Sequence, residues 1–212
     1  MRSFSHSSIK TYEDCPFKYR LTRIDGLKEP TGDAAQRGKD IHTVFENALD
    51  QIAPLPPEYA YWVPYVTQLI EKGAKSEMQF AVKRDWTRTD FLATDAWLRG
   101  IYDVLCIDGD SAHVLDWKTG KERDYGDQLK LYATIIMSEY PQVNKVSTEI
   151  CYIDLSKSQS YGYQNRDDLP KLKEWVESRV VKIENDDIFA PRPSHGCKWC
   201  HFRKSNGGPC QW

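Results

Sequence analysis

The stretch "WLRGIYDVLCIDGDSAHVLDWK", residues 97–118, decides how the chain folds. Two runs rich in β-branched and aromatic residues, 97–107 and 112–118, flank Asp108-Gly109, a pair that favours the turn of a tight β-hairpin. Successive side chains of a strand point to opposite faces. His113, Leu115 and Trp117 therefore share one face of the second run, and Val114, Asp116 and Lys118 the other. On the first run Ile101, Asp103 and Leu105 share a face. A hairpin loop of about two or four residues puts Asp103 on the face of Asp116, whereas a three-residue loop puts the two on opposite faces.

Two carboxylates held close together on a largely apolar sheet face repel each other and lose hydration. A divalent cation removes both penalties, and hard oxygen donors that leave room for water and phosphate suit Mg²⁺ or Mn²⁺. A lysine beside them can orient an attacking water and stabilise negative charge growing on a phosphoryl group. That is chemistry for phosphodiester hydrolysis. Taken alone, an Asp-x-Lys triplet fits an exposed edge-strand ion pair of little energetic weight equally well.

Outward from the hairpin, "EMQFAVK" (77–83) reads as a preceding strand. Residues 5–24 read as short helical turns interrupted at Cys15-Pro16. A helix is predicted over 33–53, with Ile41, Val44, Phe45, Ala48 and Leu49 at helical spacing. A turn at 54–58 leads to an aromatic helix over 58–74. Downstream, a helix over 125–139 ends before Pro141, strands follow at 145–154 and 158–164, and a last helix covers 168–184. This order predicts a single α/β domain over 1–212, with a mixed central sheet flanked by helices.

At 212 residues, with 40% hydrophobic and 28% charged residues, the chain is long enough for a real core and ordinary for a soluble protein. Its net charge of −2 gives no general reason to expect nucleic acid. The segment 191–212 differs: it holds Arg192, Lys198, Arg203 and Lys204 and no acidic residue, which fits either a solvated basic tail or a phosphate-binding one. No apolar leader or membrane-length run is present, so a cytoplasmic location without membrane contact is expected. In a reducing compartment the six cysteines are expected to be thiols rather than disulfides.

Cys197-Lys-Trp-Cys200 and Cys210 need a fourth thiolate to close a Zn²⁺ or iron–sulfur site. Cys15, in a Cys-Pro pair outside the strands, supplies it. His195 and His201 are substitute ligands. Cys106 and Cys151 fall in strand patterns, where a buried thiol behaves as a small hydrophobe.

"LRGIYDVLCIDGDSAHVLDWKTGKERDYGDQLKLYA" resembles the core of the RecB-like branch of the PD-(D/E)XK nuclease superfamily. Gly100-Ile-Tyr-Asp103, Asp116-Trp-Lys118-Thr-Gly120 and Gln128-Leu-Lys-Leu-Tyr132 match that branch in order. Gly38-Lys-Asp-Ile-His42 resembles its upstream helix motif, and "SFSHSSIKTYEDCPFKYR" resembles the start of RecB-like exonucleases. The resemblance implies a restriction-endonuclease-like fold. It implies that His42, Asp103, Asp116 and the Trp117 carbonyl hold the catalytic Mg²⁺ or Mn²⁺, and that Lys118 orients the water. Gln128 and Tyr132 would steady the lysine and bind substrate. Glu46, one turn after His42, either faces the same site or pairs at the surface. Glu77 lies on the first strand, where members of the family sometimes carry a glutamate.

One early and three late cysteines resemble the arrangement in iron–sulfur members of the branch, the AddB nuclease domain and the CRISPR-associated RecB-like exonucleases. The resemblance implies a 4Fe–4S cluster, with Zn²⁺ as the alternative, on Cys15, Cys197, Cys200 and Cys210. That cluster would join 1–32 to 189–212 as a cap. The expected function is a metal-dependent DNA exonuclease that prefers free single-stranded ends, in recombination, repair or processing. The expected partners are DNA and a helicase or recombination protein. The alternative is a nucleic-acid-binding or adaptor module that keeps the fold without cleaving. Lys10, Lys18, Arg20, Arg23, Arg203 and Lys204 are candidates for tracking phosphates, and Tyr12 and Trp199 for stacking on bases.

Overall fold

The computed structural model describes residues 3–212, so the first two residues of the expected 1–32 cap lie outside it. Its centre is a five-stranded sheet in the order β1 (Lys75–Val82), β2 (Leu98–Asp108), β3 (Ser111–Lys118), β4 (Lys145–Tyr152) and β5 (Lys157–Asn165). β1, β2 and β3 are antiparallel neighbours, β3 and β4 are parallel, and β5 returns antiparallel. A parallel pair needs a long crossover, which α5 (Gly126–Glu139) supplies.

Asp108 pairs with Ser111, which leaves a two-residue hairpin loop. Gly109 takes φ 57° there, a left-handed conformation that only glycine adopts without steric penalty. This short loop fixes the register of the whole β2–β3 hairpin.

Helices cover both faces. On one, α3 (Asp33–Leu49) and α4 (Val63–Glu71) pack Ile41, Phe45 and Val66 against Val104, Leu115 and Trp117. The Phe45 and Trp117 rings lie 4.6 Å apart. On the other face α5 and α6 (Leu169–Glu184) place Leu129, Ile136, Val176 and Val180 over Tyr102 and Val114. The aromatic helix expected over 58–74 is split, with 3-10 turns over Pro57–Trp62 followed by α4. Pro64 sits in the first turn of α4, where its missing N–H is harmless. The helix expected over 33–53 ends at Leu49, and Gln51 reverses the chain with φ 60°.

At the N-terminus, extended Cys15 separates α1 (His6–Asp14) from the short α2 (Pro16–Tyr19). The two ends of the domain do meet, but through side chains rather than a metal cluster. Tyr12 Oη donates to the Lys182 carbonyl at 3.0 Å and to Asp186 at 2.8 Å. Arg179 forks onto Glu13, and Tyr19 stacks on Phe189 with centroids 6.0 Å apart. Tyr12 is thus engaged in packing and is not an open stacking platform.

The expected cysteine-ligated region is overturned. Among the described residues, the group of His, Cys, Asp and Glu side chains close enough to share a metal ion is His42, Glu77 and Asp103, with no cysteine in it. Cys15, Cys197, Cys200 and Cys210 are free thiols lining one cavity of about 690 Å³. Cys15 Sγ accepts the Arg192 backbone N–H at 3.5 Å, and Cys197 Sγ accepts that of Ser194 at 3.3 Å. Two of the four sulfurs thus accept backbone N–H groups, and none belongs to the group close enough to share an ion. The 4Fe–4S assignment, its Zn²⁺ alternative and the cluster-bound cap all fall with this arrangement. Cys106 and Cys151 are buried in the sheet.

Candidate active site

The β2–β3 ladder runs from Asp108–Ser111 to Val104–Leu115, and the next residues beyond it are Asp103 and Asp116. Across the β1–β2 ladder, Ser76 pairs with Val104 and Met78 with Tyr102, which sets Glu77 opposite Asp103. Three carboxylates from adjacent strands therefore meet in one row. Glu77 has φ 44°, a left-handed backbone that is uncommon and strained for a residue with a side chain. Its carboxylate, the Asp103 carboxylate and the His42 imidazole approach one another within 4.8 Å.

His42 comes from α3, whose apolar stripe packs on the Leu115–Trp117 face. Its Nδ1 lies 3.3 Å from Asp103 Oδ2, and the same oxygen accepts the Trp117 backbone N–H at 2.8 Å. Trp117 thus holds a carboxylate through its amide, while its ring is buried under α3 and α4. Burial works against a charge on His42, but the hydrogen bond and charge of Asp103 prevail and raise its pKa.

Asp116 is almost fully buried. Its Oδ1 accepts Gln128 Nε2 at 2.6 Å, and Gln128 Nε2 also donates to Tyr132 Oη at 2.9 Å. One amide nitrogen thus uses both hydrogens, and the i, i+4 spacing of Gln128 and Tyr132 on α5 puts both on one helix face. Asp116 Oδ2 faces the Lys118 ammonium, which lies 5.1 Å from the Tyr125 ring centre. Burial and the neighbouring Asp103 push Asp116 up to about 6 against the pull of Lys118. Burial works against the Lys118 charge, yet Asp116 and Asp103 outweigh it and raise its pKa. At neutral pH the lysine is an ammonium.

Glu77 rises further, to about 7, through burial, Asp103 and Glu46. The charge of Glu46 reaches the site, as its place one turn after His42 allows. This crowding of like charge is what a cation relieves, and two carboxylates with one imidazole suit Mn²⁺ or Mg²⁺. Glu77, Asp103 and His42 would hold that ion, with Asp116 next to them.

The glycine of Gly100-Ile-Tyr-Asp103 also has a physical reason. Gly100 pairs with Phe80, and a Cβ at 100 would collide with the Phe80 ring. That ring stacks on Tyr102 at 4.5 Å and meets the edge of Tyr132 at 6.0 Å. The aromatic wall behind Asp103 therefore exists only with glycine at 100.

His6, at the start of α1, was not singled out by its sequence. Burial and then Arg179 push it down to about 4, and the charge of Lys118 also acts on it. The imidazole is neutral at neutral pH. Several candidate phosphate-tracking cations are already engaged: Lys10 with Asp14, Lys18 with Glu29 and Arg20 with Asp25. Trp199 is 72% exposed, with Lys198 Nζ 3.9 Å from the centre of its ring.

Among solved structures, the fold is similar to that of SSO0001, at 15% identity and a TM-score of 0.50, over 100% of this chain and 88% of that one. A candidate exonuclease from Eubacterium rectale is similar at 12% identity and a TM-score of 0.49, over 97% of this chain and 87% of that one. LHK-Exo, solved in complex with dAMP, is similar at 13% identity and a TM-score of 0.41, over 86% and 88% of the two chains. No curated protein matches the chain in sequence. The sequence matches the PD-(D/E)XK nuclease superfamily from residue 3 to residue 205. With nearly the whole length matched and the carboxylates of its two central strands brought together beside a lysine, the chain belongs to the PD-(D/E)XK nuclease superfamily.

Proposed function

We propose that this protein is a Mg²⁺- or Mn²⁺-dependent DNA exonuclease of the RecB-like branch, acting on free single-stranded ends. The observation that carries the reading is the row Glu77–Asp103–Asp116, with His42 against Glu77 and Asp103 and the Lys118 ammonium against Asp116. A binding module has no use for a crowd of carboxylates in which Asp103 raises the pKa of both Glu77 and Asp116. A divalent ion bound there would supply Lewis-acid stabilisation of charge on a phosphoryl oxygen. Lys118, held charged by Asp116 and Asp103, donates hydrogen bonds to the attacking water or to the phosphate. Gln128 fixes the Asp116 carboxylate, which in turn fixes the direction of Lys118. Tyr132 holds Gln128 and closes the site against the aromatic wall.

Preference for a free end is supported by α1. It packs against α5, the helix bearing Gln128 and Tyr132, and against α6, so the N-terminal helix flanks the element that carries part of the site. The test is digestion of matched linear and circular single-stranded DNA and blunt duplex in Mn²⁺, with Asp116→Asn and Lys118→Ala as controls. Linear single strands should be degraded fastest and circles spared. Each variant should lose at least about a hundredfold in rate while keeping the wild-type circular dichroism spectrum. Equal rates on circle and line would mean an open endonuclease site. DNA binding without cleavage would favour the adaptor module.

A further inference from the structure

One carboxylate outside the metal-binding group links two elements that carry it. Asp154 lies in the turn Ile153–Leu155 between β4 and β5. Its Oδ1 and Oδ2 each accept an N–H of the Arg37 guanidinium, at 2.6 and 2.9 Å, and Oδ2 also accepts the Gly120 backbone N–H at 2.7 Å. Arg37 sits on α3 upstream of His42. Gly120, with φ 84°, belongs to the turn that follows Lys118. Helix and turn are close at a second point as well, since a Cβ on Gly38 would lie 3.5 Å from Thr119 Oγ1.

The arrangement contributes little to stability. Arg37 is 54% exposed and Asp154 26%, and so wet an ion pair is worth only about 0–1 kcal/mol. Its value is directional, because a two-pronged Arg–carboxylate pair restricts orientation as a single contact does not. The first turns of α3 need such restraint: from Asp33 to Asp40 every residue but Gly38 is exposed. Among the described residues, Arg37–Asp154 is the side-chain ion pair that ties this half of α3 to another element.

We propose that Asp154 is a positioning residue: through Arg37 and Gly120 it fixes the helix bearing His42 against the strand end bearing Lys118. It thereby sets the distance between the metal-binding donors and the lysine. The proposal rests on the nuclease reading above. A displacement of about 1 Å between such groups is enough to lower a rate by roughly a hundredfold.

Four variants separate the arms. Asp154→Ala loses both, Asp154→Asn keeps an acceptor for Gly120, Arg37→Ala frees the helix alone, and Arg37→Lys keeps the charge without the fork. Mn²⁺ affinity is read by electron paramagnetic resonance, kcat and KM on a single-stranded oligonucleotide, and folding by thermal melts. Asp154→Ala and Arg37→Ala should lower kcat at least about tenfold and weaken Mn²⁺ binding, with KM and Tm little changed. Asp154→Asn and Arg37→Lys should fall between these and the wild type. Wild-type Mn²⁺ affinity and kcat in Asp154→Ala and Arg37→Ala would overturn the proposal, as would an activity loss that merely follows a fall in Tm. The Mn²⁺ titration needs no cleavage. Wild-type protein that binds Mn²⁺ without cutting DNA would therefore refute the nuclease reading while the titration still decides the role of Asp154.

Discussion

Glu77 stands directly across the β1–β2 ladder from Asp103, and it reaches the site from a left-handed backbone, φ 44°. Strand residues take that conformation only where the surroundings enforce it. Here the strain directs a carboxylate towards Asp103 and His42, where its pKa rises to about 7.

The pH dependence of metal-free protein follows from that shift. A carboxyl whose pKa is higher folded than unfolded binds more protons in the folded state, so stability falls as pH rises from about 4.5 to about 7. We expect Glu77→Gln to flatten this slope and to melt higher than wild type at about pH 8 in chelator. With Mn²⁺ present the order should reverse, because wild type gains a ligand the variant lacks. Thermal melts at two pH values, with and without Mn²⁺, check both halves. A variant less stable than wild type in chelator at high pH would contradict the assignment.

Gly100→Ala should be destabilising by about 1–3 kcal/mol, the range for forcing extra volume into a packed site. The Phe80 ring would have to leave Tyr102 and Tyr132. Shrinking the obstacle in Gly100→Ala/Phe80→Leu should recover part of the loss, since residues in contact are energetically coupled. Urea unfolding of the two single variants and the double variant measures that coupling. Strict additivity would mean that the ring is not what excludes the methyl group.

A third test lies on the sheet face away from Asp116. Glu149 accepts Tyr65 Oη at 2.6 Å and lies 3.2 Å from His113 Nε2. Burial alone would raise Glu149, but hydrogen bonds from His113, Tyr65 and Ser158 outweigh it and bring the pKa down to about 2. A depressed carboxyl stabilises the fold above its unfolded pKa and loses that contribution as pH falls from about 4.5 to about 2. Glu149→Gln should therefore be less stable at neutral pH by something on the order of 2–3 kcal/mol and unfold less steeply in acid. Parallel acid-unfolding curves for variant and wild type would refute it.

Much of this geometry is legible in residues 97–118. Alternating apolar residues define the two strands and Asp108-Gly109 marks the hairpin, but the loop length that brings Asp103 level with Asp116 is fixed only by the Asp108–Ser111 pairing. Helical spacing puts Gln128 and Tyr132 on one face, and the family resemblance is what points that face at the site. Glu77 is harder to see, because the alternation of "EMQFAVK" carries no sign that the backbone turns left-handed at its first residue. The cysteines mislead for a related reason. Spacing says that Cys197 and Cys200 are near each other, but the direction of a thiol depends on the local turn. Ser194 caps the 3-10 turn His195–Trp199 and draws Cys197 Sγ onto its own N–H. His6 gives no signal at all, since its neighbourhood is built by contacts between distant segments.

Those distant contacts also order events in time. Tyr12 bonds to a residue 174 positions later. At roughly 5–20 residues per second, a ribosome releases α1 many seconds before Asp186 and Phe189 exist to hold it. The strands bearing Asp103 and Asp116 are complete well before that. During synthesis the row of carboxylates can thus be assembled while α1 is still undocked. The N-terminal flank is the last part of the domain to dock, so proteolytic clipping after α6 should loosen the hold on α1 before it abolishes the fold.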